Sequence, residues 1–381
     1  MLALSVLARM PLGINALGIV LLMRHEGYSY GAAGAAAGAL AIGVGASGPY
    51  ISRLIDRHGQ REILAPLAIG HAIGLAIVLT VALAHAPIGG VVAASLAAGI
   101  AFPPIGTVMR PLWPRLLSDR PELLTTAFAL DAAIVELSFV SGPLLTAAIV
   151  TVTSPAPALG LSALSSVVGT LALTSMPPSR AFRPAGGDAP RHLLGALQSP
   201  GVRTLVAATL PVGFCFGAVE VTFPAFCEDV ATRGTAGLLL ATWSFGSGVG
   251  GILYGARHWT LPAFRRYPRC ALAVPFGFLP LAIPGSVAVM APFAFVSGLS
   301  IAPLISTASH VVGEVAPEGA ITEAYTWPIT ALVVGISAGN AAAGAIAGSA
   351  GWRESFVIAT CAAAVGAAIA VTQRRTLQPA A

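Results

Sequence analysis

Of the ionisable side chains that fall inside long apolar runs of this chain, five are best placed to do chemistry: Arg9, Asp131, Glu136, Glu220 and Glu323. Placing such a group at the centre of a membrane-spanning helix costs about 2.5 to 3.5 kcal/mol, so one kept there serves as an ion pair, a proton carrier or a substrate contact. Arg9 and Asp131 each stand about 10 Å from the same end of their runs, at about 1.5 Å per residue. Equal depth allows them to pair. Three readings stay open for them: a structural salt bridge, a substrate or proton site, or two side chains snorkelling independently. Glu136 lies five residues beyond Asp131, about 140° around the helix and near the middle of its run. A lone carboxyl there holds its proton unless it is paired, which is what a proton-coupled carrier requires. A neutral structural hydrogen bond and a direct substrate contact are the alternatives. Glu220, with Glu228 and Asp229 nearby, reads as part of an acidic, solvated outer mouth. Glu323 begins its run, where the helix dipole favours a carboxylate cap. His71 and His310 are single histidines on apolar helices and read as packing residues. The candidate proton or substrate set is therefore Glu136, Asp131, Arg9 and Glu220.

Those side chains must be held by helices in lipid, because the composition supports little else. Of 381 residues, 56% are hydrophobic and only 9% charged, against about 25% charged in soluble domains. The chain is an integral membrane protein. Its formal charge of +5 calls for no nucleic acid, since positive residues collect in loops on one side and reach anionic headgroups. All 20 positive residues are arginine. The four cysteines, Cys215, Cys227, Cys270 and Cys361, lack CxxC spacing and read as small apolar fillers. No HExxH, no GxSxG and no phosphate-binding Gly-Lys pair is present, so no catalytic residue, metal or cofactor is expected. Residues 1–8 lack a basic start and no cleavable signal follows, so the first span is expected almost at once.

At about 20 apolar residues per spanning helix, twelve runs are predicted: 2–23, 30–51, 63–84, 90–109, 124–151, 158–175, 202–226, 234–255, 270–284, 286–310, 320–345 and 355–372. Residues 177–201 turn to Pro, Arg, Gly and Asp and read as an exposed linker. The predicted fold is all-α, an integral membrane protein of twelve transmembrane helices in two pseudo-symmetric six-helix bundles, 1–176 and 202–381. Loop arginines then set the orientation. Fifteen, among them Arg265, Arg266 and Arg269 between the eighth and ninth runs, fall on one side, and three, Arg24, Arg233 and Arg353, on the other. The positive-inside rule puts both termini in the cytoplasm.

The two halves also repeat at an offset near 200 residues. Met10-Pro11-Leu12-Gly13 returns as Leu210-Pro211-Val212-Gly213. Gly43 returns as Gly246, Gly99 and Pro104 as Gly298 and Pro303, and Gly142 as Gly339. Such internal repeats are a mark of transporter folds.

Between the second and third runs, Ser52-Arg53-Leu54-Ile55-Asp56-Arg57-His58-Gly59-Gln60-Arg61 resembles the loop signature of the major facilitator superfamily, Gly-x-x-x-Asp-Arg-x-Gly-Arg-Arg/Lys. Asp56, Arg57, Gly59 and Arg61 match it, whereas Ser52 and Gln60 depart from it. The resemblance implies a latch: Asp56 would meet the backbone N–H groups at 320–322, where a helix start favours an anion. The cytoplasmic side would then be shut. The other reading of Arg53, Arg57 and Arg61 is headgroup anchoring. The second-half counterpart has Trp259 where the aspartate belongs, so the latch is one-sided.

Gly142-Pro143 resembles the antiporter signature of bacterial drug- and sugar-exporting members and implies a helix bend, with the small residues Ala129 and Ser138 at further glycine positions of that signature. The fourth run lacks the mid-membrane arginine of that group; Arg110 stands at its end. By family analogy Asn15, Phe102, Phe214, Phe216, Phe293 and Phe295 line a central cavity. The function expected from the resemblance is secondary transport by alternating access, as proton-coupled export of a small amphiphilic or sugar-like molecule by a monomer in the cell membrane. The alternatives are a proton-coupled importer of a small metabolite and a non-transporting membrane sensor. The expected partners are the lipid bilayer, the small-molecule substrate and protons, with no nucleic acid.

Overall fold

The computed structural model describes residues 2–109, 116–117, 119–120, 123–177, 195–232, 234–257, 259–317 and 321–378. Fifteen α-helices account for nearly all of these described residues. The first eight are α1 (Leu2–Arg9), α2 (Pro11–His25), α3 (Tyr30–His58), α4 (Gln60–Leu83), α5 (Ile88–Ile100), α6 (Ile105–Met109), α7 (Leu124–Val152) and α8 (Ala156–Thr174). The rest are α9 (Pro200–Val230), α10 (Thr235–Gly255), α11 (Ala263–Phe278), α12 (Val287–Gly298), α13 (Ile301–Val315), α14 (Ile321–Ser349) and α15 (Trp352–Thr372). Ten segments among the described residues are long and apolar enough to cross a membrane, counting α1 with α2 and α12 with α13 as one each. The two remaining predicted runs correspond to the broken pair α5 and α6 and to α11, which carries Pro268 and Pro275 and runs into a 3-10 turn at Leu279–Ala282. The layout is consistent with twelve crossings.

Packing divides the chain into two compact units, Met1–Tyr28 with Ala39–Gly187 and Ser29–Gly38 with Asp188–Ala381. Most of the expected linker, residues 178–194, lies outside the described residues.

Several expected boundaries need correction. The signature stretch is not a loop: α3 continues through Ser52 to His58, and Gly59 alone makes the turn into α4. Its φ of 99° lies where a Cβ would clash, so glycine is required there and nowhere else in the stretch. The fourth run is not continuous either. It stops at Ile100 and resumes at Ile105, because Pro103 and Pro104 supply no N–H and their rings exclude the helical path before them. The tenth run breaks between Gly298 and Ile301, just ahead of Pro303. Both breaks fall on the repeated Gly-x-x-x-x-Pro, Gly99 to Pro104 and Gly298 to Pro303. Finally, Arg265, Arg266 and Arg269 are not loop residues but occupy the first two turns of α11.

The repeated glycines mark where helices touch. In the first unit Gly13 on α2 meets α7 at Gly142, where a Cβ on Gly142 would come within 2.6 Å of the Gly13 Cα. In the second unit Gly213 on α9 lies against α14, and a Cβ on Gly335 would stand 3.0 Å from its Cα. Gly43 on α3 crosses α5 at Gly99, and Gly298 on α12 crosses α10 beside Ser247. The same crossings therefore recur in each half, the first helix with the fifth and the second with the fourth. In lipid, where apolar surface gives no advantage of one helix over solvent, such close backbone contact is the main source of attraction.

The turn at Gly59 offers a direct check. Gly59→Ala forces a Cβ into positive φ at a cost of about 1 to 3 kcal/mol. It is expected to lower the thermal unfolding midpoint of the purified protein by several degrees, whereas Gly160→Ala, which meets nothing within 4 Å, leaves the midpoint unchanged or slightly raised.

Candidate functional site

Arg9 and Asp131 form a buried ion pair, with Nη2 donating to Oδ1 at 2.7 Å and side-chain exposures of 1% and 4%. Sequence geometry places them there. Pro11 cannot donate into the preceding turn, so α1 ends at Arg9 and α2 begins afresh. Ala8 packs with Ile105 and Met109 of α6, Ala127 of α7 and Leu173 of α8, which brings Arg9 alongside α7. Arg9 Nη1 lies 3.4 Å from the Asp131 carbonyl oxygen, while Arg9 Nε is buried without a partner among the described residues. The pair cancels two charges that lipid would not tolerate singly.

A second polar cluster in the same unit was not foreseen. The His71 imidazole lies 2.8 Å from the Ala98 carbonyl through Nδ1 and 3.2 Å from Asn15 Nδ2 through Nε2. Because the carbonyl can only accept, Nδ1 carries the hydrogen and Nε2 accepts from the amide. Ser162 Oγ then donates to Asn15 Oδ1 at 2.5 Å. Every step of the chain has a fixed direction, so the cluster pins α2, α4, α5 and α8 together with a neutral histidine. Two of the candidate cavity residues take part in it: Asn15, 3% exposed, is held by His71 and Ser162, and Phe102, 8% exposed, stands edge-on to the His71 ring at 5.2 Å. No periodic pattern announces a contact among residues so far apart in sequence.

In the second unit, Glu220 on α9 accepts a hydrogen bond from Asn340 Nδ2 on α14 at 3.1 Å. Of the two neighbouring carboxylates, Glu228 accepts from the Tyr30 hydroxyl and the exposed Asp229 from Trp352 Nε1 at 3.2 Å, so both are tied to aromatic donors at the helix end. Glu220 stands two turns deeper and half-buried. Asn340 went unremarked in the sequence, yet the signal was there: the chain contains two asparagines, Asn15 and Asn340, and both are buried inside spans and bonded to another helix. Phe214, Phe216, Phe293 and Phe295 are all half-buried. The Phe216 ring meets Trp243 edge-on at 5.2 Å, and Phe295 lies 6.0 Å from Phe245.

Glu136 is half-buried on α7 and has no hydrogen bond or ion pair among the described residues. Gly142 and Pro143 lie within the unbroken α7, with α2 seated against Gly142. His310 is exposed and not a packing residue. In the signature stretch Arg61 is exposed and Gly59 buried, while the side chains of Asp56, Arg57, Ala129 and Glu323, together with residue 110 and residues 318–320, lie outside the described residues. The counterpart Trp259 takes part in a different contact: its ring lies 4.8 Å from the Arg257 guanidinium and 5.4 Å from that of Arg266, a cation–π cluster in place of an acid.

A family model described as Major Facilitator Superfamily matches residues 1–282. Among solved structures, a mutant of the nucleoside transporter NupG aligns over 98% of this chain and 100% of its own, at 13% identity and a TM-score of 0.76. A bacterial homologue of the iron transporter ferroportin in an inward-facing state aligns over 98% and 97%, at 13% identity and 0.73. A bacterial homologue of the lysosomal transporter Spinster, inward-facing and occupied, covers 98% and 96% at 16% identity and 0.66. At these identities the likeness is one of fold. No curated protein sequence matches significantly.

The buried ion pair gives a prediction that separates structural from functional use. Asp131→Asn strands a buried guanidinium and is expected to cost about 3 to 5 kcal/mol, seen as a sharp fall in folded yield and unfolding midpoint. The double variant Arg9→Met with Asp131→Leu recovers most of that loss, since removing both charges together leaves nothing unpaired.

Proposed function

The chain belongs to the major facilitator superfamily, and from that premise we propose that it is a secondary transporter that exports a small amphiphilic or sugar-like molecule in exchange for protons, by alternating access. Glu136 is the observation that supports proton coupling. It is a half-buried carboxyl in the span α7 with no partner among the described residues, so its charge state is free to follow proton supply and substrate occupancy. Export draws on the Gly142-Pro143 resemblance to exporting members. The half-buried aromatic faces of Phe214, Phe216, Phe293 and Phe295 suit a molecule with both apolar and polar surfaces, as an amphiphile or a sugar ring has.

In the proposed cycle the two halves, 1–176 and 202–381, act as the rocking bodies joined by the linker 177–201. Both termini face the cytoplasm, by the excess of arginine on that side. Asp56, at the end of α3, latches the cytoplasmic side by meeting the start of α14, and Arg57 and Arg61 flank it. Breaking that contact biases the carrier toward inward opening. The carrier acts as a monomer.

Sealed vesicles holding the purified protein, loaded with a panel of amphiphilic and sugar compounds under an imposed pH gradient, test the coupling. The native protein is expected to show flux driven by the gradient. Glu136→Gln is expected to lose the gradient-driven part while keeping exchange down a substrate gradient. Full proton-driven flux in that variant removes Glu136 from the mechanism.

A further inference from the structure

The two asparagines of the chain differ in one respect. Asn15 has both ends of its amide bonded, to His71 and Ser162. Asn340 is wholly buried, gives Nδ2 to Glu220, and leaves Oδ1 buried without a hydrogen-bond partner among the described residues. A buried acceptor lacking a donor costs about 1 to 3 kcal/mol, and folded proteins leave few of them. The backbone around Asn340 is closed: a Cβ on Gly217 of α9 would come 2.7 Å from the Asn340 nitrogen, and one on Gly34 of α3 would come 3.1 Å from its carbonyl carbon. The group already in contact with the amide is Glu220.

We propose that Glu220 is a proton-binding carboxyl, held in this conformation as a neutral acid against the side-chain amide of Asn340. An ionised carboxylate has no hydrogen to offer and leaves Oδ1 orphaned. Taking up one proton from solvent turns the second carboxyl oxygen into an O–H donor aimed at Oδ1, while Nδ2–H continues to donate to the first. Acid and amide then form two antiparallel hydrogen bonds and no bond is broken. The surroundings favour the neutral form. No cation pairs with Glu220 among the described residues. Ionisable groups on the packed helices are Tyr254 on α10, His310 and Glu314 on α13, and Arg353, Glu354 and Cys361 on α15, and none makes a hydrogen bond or ion pair with it. On α9 itself Glu228 and Asp229 are engaged by Tyr30 and Trp352. Glu323 and Tyr325 stand over 20 Å away along α14, at about 1.5 Å per residue. Glu220 is half-buried where Asn340 is wholly buried, so a proton can reach the acid without disturbing the amide.

This deepens the proton-coupled reading by naming a second carboxyl, in the half of the chain opposite Glu136, though the protonation itself does not depend on transport. Infrared difference spectra of the purified protein in bilayers, recorded between low and high pH, test it. The native protein is expected to show a carboxylic-acid carbonyl band that disappears as pH rises. Glu220→Gln removes one component of that band, Asn340→Leu shifts the same component to higher frequency by taking away its amide partner, and Glu136→Gln leaves it in place. An unchanged band in both Glu220→Gln and Asn340→Leu overturns the proposal, even if vesicle flux proves to be proton-driven. The expected band changes without proton-driven flux would uphold the site and sink the transport coupling.

Discussion

Lipid offers the backbone no hydrogen-bond partner, and nearly everything in this structure follows from that. Each span must satisfy its own N–H and C=O groups as a helix, and once it has done so, its outer surface is as apolar as the lipid around it. Helices are then held chiefly by close approach, with a few interhelical polar contacts. Gly13 with Gly142, Gly43 with Gly99, Gly213 with Gly335, and Gly298 beside Ser247 provide that approach by having no side chain in the way. The crossings recur between the halves on corresponding helix pairs, though not residue for residue: Gly213 meets Gly335, one turn before Gly339, which lies against the Phe214 backbone.

The exceptions to regular helix recur between the halves. Each half interrupts its fourth span at a repeated Gly-x-x-x-x-Pro, with α5 giving way to α6 and α12 to α13. Paired interruptions at matching positions are the usual location of binding sites in transporter folds. Several charged and amide side chains inside spans are committed to one another: Arg9 to Asp131, Asn15 to His71 and Ser162, Asn340 to Glu220. Glu136 is the carboxyl left without such a commitment among the described residues.

Much of this was legible in the residues. Apolar runs separated by arginine-bearing segments predict most helices to within a few residues, since run length in lipid is dictated by bilayer thickness. The equal depth of Arg9 and Asp131 anticipates their contact because both lie on single rigid helices. What could not be read was any contact set by the rotation of one helix against another. The bond of Asn15 to His71 and that of Glu220 to Asn340 are of this kind. The signature stretch looked like a loop because charged residues usually end a span, yet arginine and leucine are good helix formers, and α3 runs on until Gly59. Proline pairs were visible at 103 and 104, but an apolar run gives the same hydropathy whether or not its helix is broken.

The central claim is that matched glycine crossings hold each half together, and one comparison of unfolding midpoints in bilayers tests it. Alanine placed singly at Gly142 and Gly339, both of which face backbone, is expected to lower the midpoint by an amount equivalent to about 1 to 3 kcal/mol of overpacking, and by similar amounts in the two halves. Alanine at Gly248 and Gly285, which meet nothing within 4 Å, is expected to leave it unmoved. Crossing variants as stable as the native chain, or a loss confined to one half, would contradict the account.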